Sequence, residues 1–184
     1  NNIRNLASRV YRQPIFHEPL VRSIVMTIKD FLSGLTGLIM GAIATMIILY
    51  LAAPSILFIE RESRLGYSET IAAIHDSSSA EGWIIPKQYK LDVSLAKAGY
   101  DVSPVSVIEL CKPEHAYKIL AEDEYRLVSS MMPCRVAVYQ KADGSTVISR
   151  MNTGLLSRVF DKTVRDVMTQ ATRETNKILS VVER

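Results

Sequence analysis

The sequence is poor in the residues from which most metal and redox centres are built. It contains two cysteines, Cys111 and Cys134, and three histidines in 184 residues, and it has no CxxC, CxxCH or HExxH motif. The usual signatures of a dithiol redox centre, an attached haem and a zinc protease are therefore missing. We predict no cofactor from motifs.

Catalytic patterns are also missing. No glycine-rich phosphate loop, paired acidic metal site or Ser-His-Asp order stands out. Cys111 and His115 have the spacing of a nucleophile and its base, but Pro113 lies between them and no third group would orient the pair. We interpret His75 and His115 as solvated residues on helix faces. Nothing in the sequence indicates an enzyme.

An excess of positive charge is absent from the C-terminal two thirds of the chain, where Lys and Arg are balanced by Asp and Glu. The net charge is only +3 and no concentrated basic face is visible there, which excludes a nucleic-acid binder. The basic surplus lies instead before a long apolar stretch, at Arg4, Arg9, Arg12, Arg22 and Lys29. Position 1 is Asn rather than Met, which allows further residues upstream. By the positive-inside rule, this surplus predicts a cytoplasmic N-terminus and a domain in the periplasm or an equivalent compartment.

Charged residues are absent from Phe31 to Ile59. About 20 apolar residues suffice to cross a bilayer as a helix, so this longer stretch predicts a single-pass transmembrane helix in the inner, cytoplasmic membrane. A buried core helix would be shorter and would keep a polar stripe. A cleaved signal peptide would have a shorter apolar run and fewer polar residues before it. We therefore interpret residues 31–59 as an anchor in lipid.

Two further patterns lie in the N-terminal part of the chain. Residues 1–30 form a basic cytoplasmic arm, in which Ile3, Leu6 and Val10 fit either a short interfacial helix or a disordered tail. Inside the span, small residues recur on one helix face and favour close packing against another helix. They are Gly34, Gly37, Gly41 and Thr45.

The remaining residues, about 120 in number, suffice for one small domain. Periodicity and turn residues predict helices from Tyr67 to Ala80 and Glu114 to Glu122, and strands from Val105 to Cys111, Cys134 to Tyr139 and Thr146 to Arg150. Asp143-Gly144 joins the last two strands as an antiparallel hairpin. The predicted class is α+β, with a small mixed α/β domain over residues 66–160 whose β-sheet is covered by helices.

A C-terminal amphipathic helix is predicted over residues 161–184. Its apolar stripe includes Val164, Val167, Ile178 and Val182. The helix is longer than a small sheet requires, so we expect its last two or three turns to dock on a partner.

Several blocks between Glu81 and Phe160 resemble the domain-of-unknown-function family 302. They are Gly82-Trp83 with Pro86, Gly99-Tyr100, Val107 to Cys111 with Pro113, Met132 to Tyr139, and Ser149 to Gly154. The resemblance implies a small α/β fold with helices packed on a sheet, often associating in pairs, so a homodimer is one expected partner state. It implies no activity.

The two cysteines fall in these blocks and leave three alternatives open. Cys111 should end a strand just before a helix N-terminus, which favours a thiolate, and Cys134 opens the next strand. They form a disulfide, or two buried structural thiols, or a redox or metal site together with Met131, Met132 or Met151. Thiolate and thioether ligands suit copper(I) or haem iron.

Three charged residues form a second candidate site. Arg135 and Arg150 lie on the two arms of the predicted hairpin, and Glu109 lies on a neighbouring strand. We interpret them as a polar cluster that orients the turn from Met151 to Gly154. The alternative is a pocket for a small anion or other ligand.

Two functions from different classes follow. The first is a single-span accessory subunit that stabilises a larger membrane protein complex, respiratory or otherwise bioenergetic as in electron transport, with integral membrane subunits as partners. The second is a membrane-tethered redox or haem/copper-binding domain that uses Cys111 and Cys134.

Overall fold

A computed structural model of the chain describes residues 18–184. The interfacial helix considered for Ile3, Leu6 and Val10 lies outside the described residues. The chain divides into two compact units, Asn1–Ala52 and Ala53–Arg184, and each is described by itself.

The first helix, α1, runs over Glu18–Leu57. Its stretch Lys29–Leu57, with a mean hydropathy of 2.2, is long and apolar enough to cross a membrane by length and composition. The helix ends two residues before the end predicted from the apolar run. Phe58 and Ile59 instead begin a strand, where they pair with Met151 and Arg150.

The second unit is built on a five-stranded antiparallel sheet. The strands are β1 (Phe58–Glu62), β2 (Gln88–Lys90), β3 (Val105–Leu110), β4 (Cys134–Gln140) and β5 (Thr146–Met151), in the order β1-β5-β4-β3-β2. The predicted hairpin joins β4 to β5, with Gly144 at a φ of 85° that suits glycine. The mixed α/β class is confirmed.

The helices of this unit follow the turn signals closely. They are α2 (Tyr67–Ala80), α3 (Leu91–Lys97), α4 (Pro113–Leu120), α5 (Thr153–Leu156) and α6 (Lys162–Leu179), with 3₁₀ helices over Asp123–Met131 and Ser157–Val159. Pro113 begins α4, where its missing N–H costs nothing. The bounds of α2 match the prediction because Gly82, at a φ of 72°, ends the turn that follows it.

One face of the sheet packs against α2 and α6. Ile108, Val138 and Ile148 point to this face from three neighbouring strands and are fully buried beside Ile74 of α2 and Ile178 of α6. Strand alternation places these side chains on the same side, and their burial is the main drive for the packing.

The C-terminal residues belong to this same core. Leu179 and Val182 are fully buried, and the Arg64 guanidinium donates to the Glu183 carbonyl oxygen at 2.8 Å. The expectation that the last turns of the terminal helix dock on a partner is therefore wrong. The core also extends past both ends of the predicted domain of residues 66–160, since β1 lies before it and α6 after it.

Candidate functional site

Cys111 and Cys134 lie next to each other at one end of the sheet. Cys134 opens β4 opposite Leu110, the last residue of β3, and Cys111 follows Leu110 directly. Backbone hydrogen bonds in both directions tie Cys111 to Ile84. Both cysteines are half-buried free thiols, so the predicted proximity holds and the disulfide alternative is not the state in this structure.

Burial dominates the acidity of both thiols. It raises the pKa of Cys111, and the Glu109 carboxylate raises that pKa further. Burial also raises the pKa of Cys134, with a second contribution from a negative charge at Cys111. The expectation that the following helix favours a thiolate at Cys111 is therefore wrong. Here desolvation of the thiol and the nearby Glu109 charge both disfavour the thiolate.

The two cysteines line one cavity of about 60 Å³. Met131 and Met132, which the sequence grouped with them, line it too, whereas Met151 does not. A third methionine, Met168 of α6, completes the set and was missed, because nothing in the sequence places α6 beside β4. The other lining residues are Trp83, Leu110, Lys112, His115, Ala116, Ile119, Val128, Pro133, Thr153, Val167 and Ala171.

His115 lies in the wall of this cavity and is 6% exposed. The prediction of a solvated residue on a helix face is therefore wrong. Its Nε2 lies 3.2 Å from Glu174 Oε1, which is within ion-pair distance. Within residues 18–184, its Nδ1 has no hydrogen-bond partner. The ring packs edge-on against Trp83, with centroids 5.8 Å apart. The buried Nδ1 without a partner carries a free-energy cost that a ligand could relieve.

Glu174 organises the polar groups behind the cavity. Its Oε2 accepts from Trp83 Nε1 at 2.9 Å and from Lys112 Nζ at 2.8 Å, and its Oε1 accepts from Gln170 at 3.0 Å. Desolvation alone would raise its pKa, but the hydrogen bonds from Lys112 and Trp83 outweigh it and lower the pKa of Glu174 to about 2. The carboxylate therefore stays charged and fixes the Trp83 wall of the cavity.

The second predicted cluster is split by the structure. Arg135 and Arg150 line a neighbouring cavity of about 150 Å³. Glu109 does not line it and instead accepts from Tyr89 at 3.2 Å and Arg135 at 3.4 Å. Arg150 pairs with Glu183, so its charge is neutralised within the domain. The cavity is thus not lined by a group of free cations suited to a small anion.

The turn from Met151 to Gly154 is held by its own asparagine rather than by the charged cluster. Asn152 Oδ1 accepts from the Leu155 N–H at 3.2 Å, which caps α5, and its Nδ2 donates to the Ile56 carbonyl at 3.0 Å. The interpretation that the arginines orient this turn is not supported by these contacts.

Cys134 belongs to the walls of both cavities, together with Met131, Pro133 and Thr153. The blocks that carry the family resemblance therefore meet at this point. Within the described part of the chain, no group of three or more His, Cys, Asp or Glu residues could hold a metal ion. Any metal here would need at least one ligand of another type beside the two cysteines.

The small residues of α1 leave open space around them. A side-chain carbon placed at Gly34, Gly37 or Gly41 would meet no atom of the described chain within 4 Å. Thr45 satisfies its hydroxyl within the helix by donating to the Gly41 carbonyl at 2.8 Å. The predicted packing face is therefore flat and carries no polar group in need of a partner.

Comparison with known proteins gives a family and a fold. The model of a family described as "Domain of unknown function DUF302" matches residues 59–182, beyond the 81–160 that carry the resemblance in the sequence. The chain is also similar to the crystal structure of an uncharacterized conserved DUF302 protein from Bacillus stearothermophilus. The TM-score is 0.61 at 24% identity, covering 68% of this chain and 97% of that one. No curated protein matches the chain.

Proposed function

The chain belongs to the DUF302 family, and because that family is defined by a domain of unknown function, we propose a function from the chain's own features. It is a single-span accessory subunit of a larger membrane protein complex. Its helix lies in lipid against other integral subunits, and its α/β domain contacts partners on the outer side. Respiratory or other bioenergetic complexes are the proposed setting, because small single-span subunits are common in them.

One observation carries this proposal, namely the apolar surface of α1. Large hydrophobic side chains are exposed along the helix, with Leu38 at 70%, Ile48 at 65% and Leu51 at 72%. Exposed apolar area costs about 25 cal/mol per Å² in water, so a helix apolar on every side requires a cover. Its length of 29 residues, Lys29–Leu57, suits a bilayer as that cover.

The orientation follows from charge. The basic residues before the span outnumber those just after it, and such residues favour the cytoplasmic side. We therefore place the N-terminus in the cytoplasm and the α/β domain in the periplasm or an equivalent compartment. Glycines in a membrane helix let a second backbone approach closely, so we place the partner helix along Gly37 and Gly41.

Purification of the tagged full-length chain in mild detergent tests the proposal. We expect integral membrane proteins to remain bound in fixed ratio, and the double substitution Gly37→Leu with Gly41→Leu to release them. Ala42→Leu is the matched control, because about 100° per residue turns Ala42 well away from the glycine face. A chain that migrates alone, as a monomer or a homodimer, would contradict the proposal.

A second function is favoured by the cavity at Cys111 and Cys134, which collects soft ligands. It is a membrane-tethered redox or metal-binding domain. A cavity of about 60 Å³ is far below the roughly 300–1,000 Å³ of typical cofactor sites, which favours an ion over haem. A visible spectrum and metal analysis of the purified chain test this function, and a chain without chromophore or metal after reconstitution would contradict it.

A further inference from the structure

We infer that the cavity at Cys111 and Cys134 is a copper(I) site, with the two thiolates as ligands and a thioether from Met131 or Met132 as a third. This inference rests on the second function above and names its metal and its ligands. It does not depend on whether the chain is a subunit of a complex.

The first argument is the chemistry of the cavity wall. Two cysteines and three methionines, Met131, Met132 and Met168, line a space of about 60 Å³. Sulfur ligands of this kind select copper(I), which is a soft ion. The rest of the wall is largely apolar, including Leu110 and Val167, and an apolar shell disfavours harder, strongly hydrated ions.

The second argument excludes the commoner alternatives at the same cysteines. Structural zinc takes four ligands from Cys, His, Asp or Glu, and residues 18–184 hold no group of even three that could bind a metal. Iron–sulfur clusters take four cysteines, or two cysteines with two histidines in Rieske centres, whereas the lining of this cavity holds two cysteines and one histidine. Copper(I), unlike zinc, accepts the thioethers that the cavity does supply.

The third argument is His115, which lines the cavity and is only 6% exposed. Its Nε2 lies 3.2 Å from Glu174 Oε1, but its Nδ1 has no hydrogen-bond partner in the part of the chain that is described. A buried nitrogen without a partner is rare and costly, so the presence of this Nδ1 in the wall points to a bound group.

Binding needs no oxidant or reductant. A copper(I) ion displaces the thiol protons of Cys111 and Cys134 and forms two copper–sulfur bonds, and both protons leave to solvent. The complex of one cation and two thiolates carries one net negative charge. The copper stays in the +1 state throughout.

The experiment is a competition titration of the full-length chain in detergent micelles. Copper(I) is supplied as its coloured bicinchoninate complex under anaerobic, reducing conditions, and loss of the colour measures transfer to the protein. We expect one equivalent to transfer to the wild type. The double substitution Cys111→Ser with Cys134→Ser should abolish transfer, and the more important of Met131→Leu and Met132→Leu should weaken binding at least about tenfold.

Met151→Leu is the matched control, because Met151 is the last residue of β5 in the same sheet but lines the neighbouring cavity only. It should bind copper(I) within about twofold of the wild type. Circular dichroism shows whether each variant is folded. A second measurement needs no variant: copper(I) should protect both thiols of the wild type from a maleimide.

Three results would overturn the inference. They are a folded wild type that takes no copper(I), a folded double-serine variant that still takes one equivalent, and copper(I) that leaves both thiols open to the maleimide. If the cysteines retain one zinc(II) after dialysis, the site is a zinc site and the assignment of copper is wrong. Because copper(I) is colourless, tight binding without a visible chromophore supports this inference even where the redox function fails.

Discussion

At the scale of single residues, Glu174 links parts of the domain that are distant in sequence, and the sequence did not single it out. Its carboxylate ties α6 to Trp83 and to Lys112, which lies just before α4. No pattern points to it, because 62 residues separate it from Lys112 and the helical period of α6 does not reveal which partner faces it. The contact depends on how α6 docks, which the sequence alone does not specify.

We expect Glu174 to make stability depend on acid. Its pKa falls from 4.5 to about 2 on folding, so its contribution is full above pH 4.5 and is lost as the pH falls toward 2. Because Glu174 is only partly buried, solvent screens its carboxylate, and the contribution is smaller than the full value of about 1.4 kcal/mol per pKa unit. Glu174→Gln should be less stable at pH 7 by about 1–3 kcal/mol and should lack this acid-dependent loss.

Denaturant unfolding of the full-length chain at pH 7 and pH 3 measures both effects. Glu122→Gln is the control, since Glu122 is exposed and lies on the loop before a 3₁₀ helix. Equal loss of stability in the two variants, or an unchanged pH dependence in Glu174→Gln, would contradict the assignment.

The residues of the candidate site were predictable only where they are close in sequence or on paired strands. Met131 and Met132 accompany Cys134 because they precede it directly. Cys111 and Cys134 lie close together because β3 and β4 pair. The sequence pattern predicted both strands. His115 was assigned to solvent because a helix period shows which side chains share a face and not what covers that face. Here the 3₁₀ helix and α6 cover it.

At the scale of elements, the turn residues made the β4–β5 hairpin predictable from the sequence. The hairpin between β4 and β5 has its Asp143 Oδ1 accepting from the N–H of Ser145 at 2.9 Å, and Gly144 has a φ of 85°. Both features follow from the residue types at those positions. Strand β1 and its antiparallel pairing with β5 were not predicted. Its first residues continue the apolar run of α1, and no turn signal comes before them.

We expect Gly144→Ala to destabilise the domain by roughly 1–2 kcal/mol, because an alanine at this positive φ is strained. Gly154→Ala is the matched control. Its φ is not in the left-handed region, and the new carbon would meet the Thr172 methyl at an ordinary 3.5 Å. Thermal unfolding of both variants measures the difference, and equal melting temperatures would contradict the explanation.

The last turn of α6 supports the second prediction at this scale. Leu179 is fully buried, whereas Val181 two residues later is 49% exposed. Truncation of a buried leucine removes apolar burial and leaves a cavity, so Leu179→Ala should cost about 2–5 kcal/mol. Val181→Ala should stay within about 0.5 kcal/mol. The denaturant midpoints of the two variants measure these losses of stability. A small loss for Leu179→Ala would contradict the burial of the last turn of α6 in the core.

At the scale of the whole molecule, the chain combines a helix whose described apolar side chains are largely exposed with a domain that has its own core. The core collects strands and helices from Phe58 to Val182, and the family match covers nearly the same residues. Composition alone identified the apolar helix. The extent of the domain was underestimated, because the stripe of a terminal helix does not show whether its own sheet or another protein covers it.

We expect the full-length chain to resist alkaline extraction from membranes. Ile47→Arg places a charge in the middle of the apolar stretch, where insertion costs about 2.5–3.5 kcal/mol, and should release a large fraction of the chain. Asp30→Arg is the control, because position 30 lies at the end of the stretch, where an arginine reaches the headgroups. Release of the wild type itself would contradict anchoring by α1.

Trp83 is the only tryptophan in the chain, and its ring forms part of the wall that the two cysteines share. The protein therefore carries an intrinsic fluorophore at the place where an occupant would sit. Emission from the unlabelled molecule should respond when a heavy ion enters beside the indole. Occupancy could then be followed optically in intact membranes, without dyes or tags.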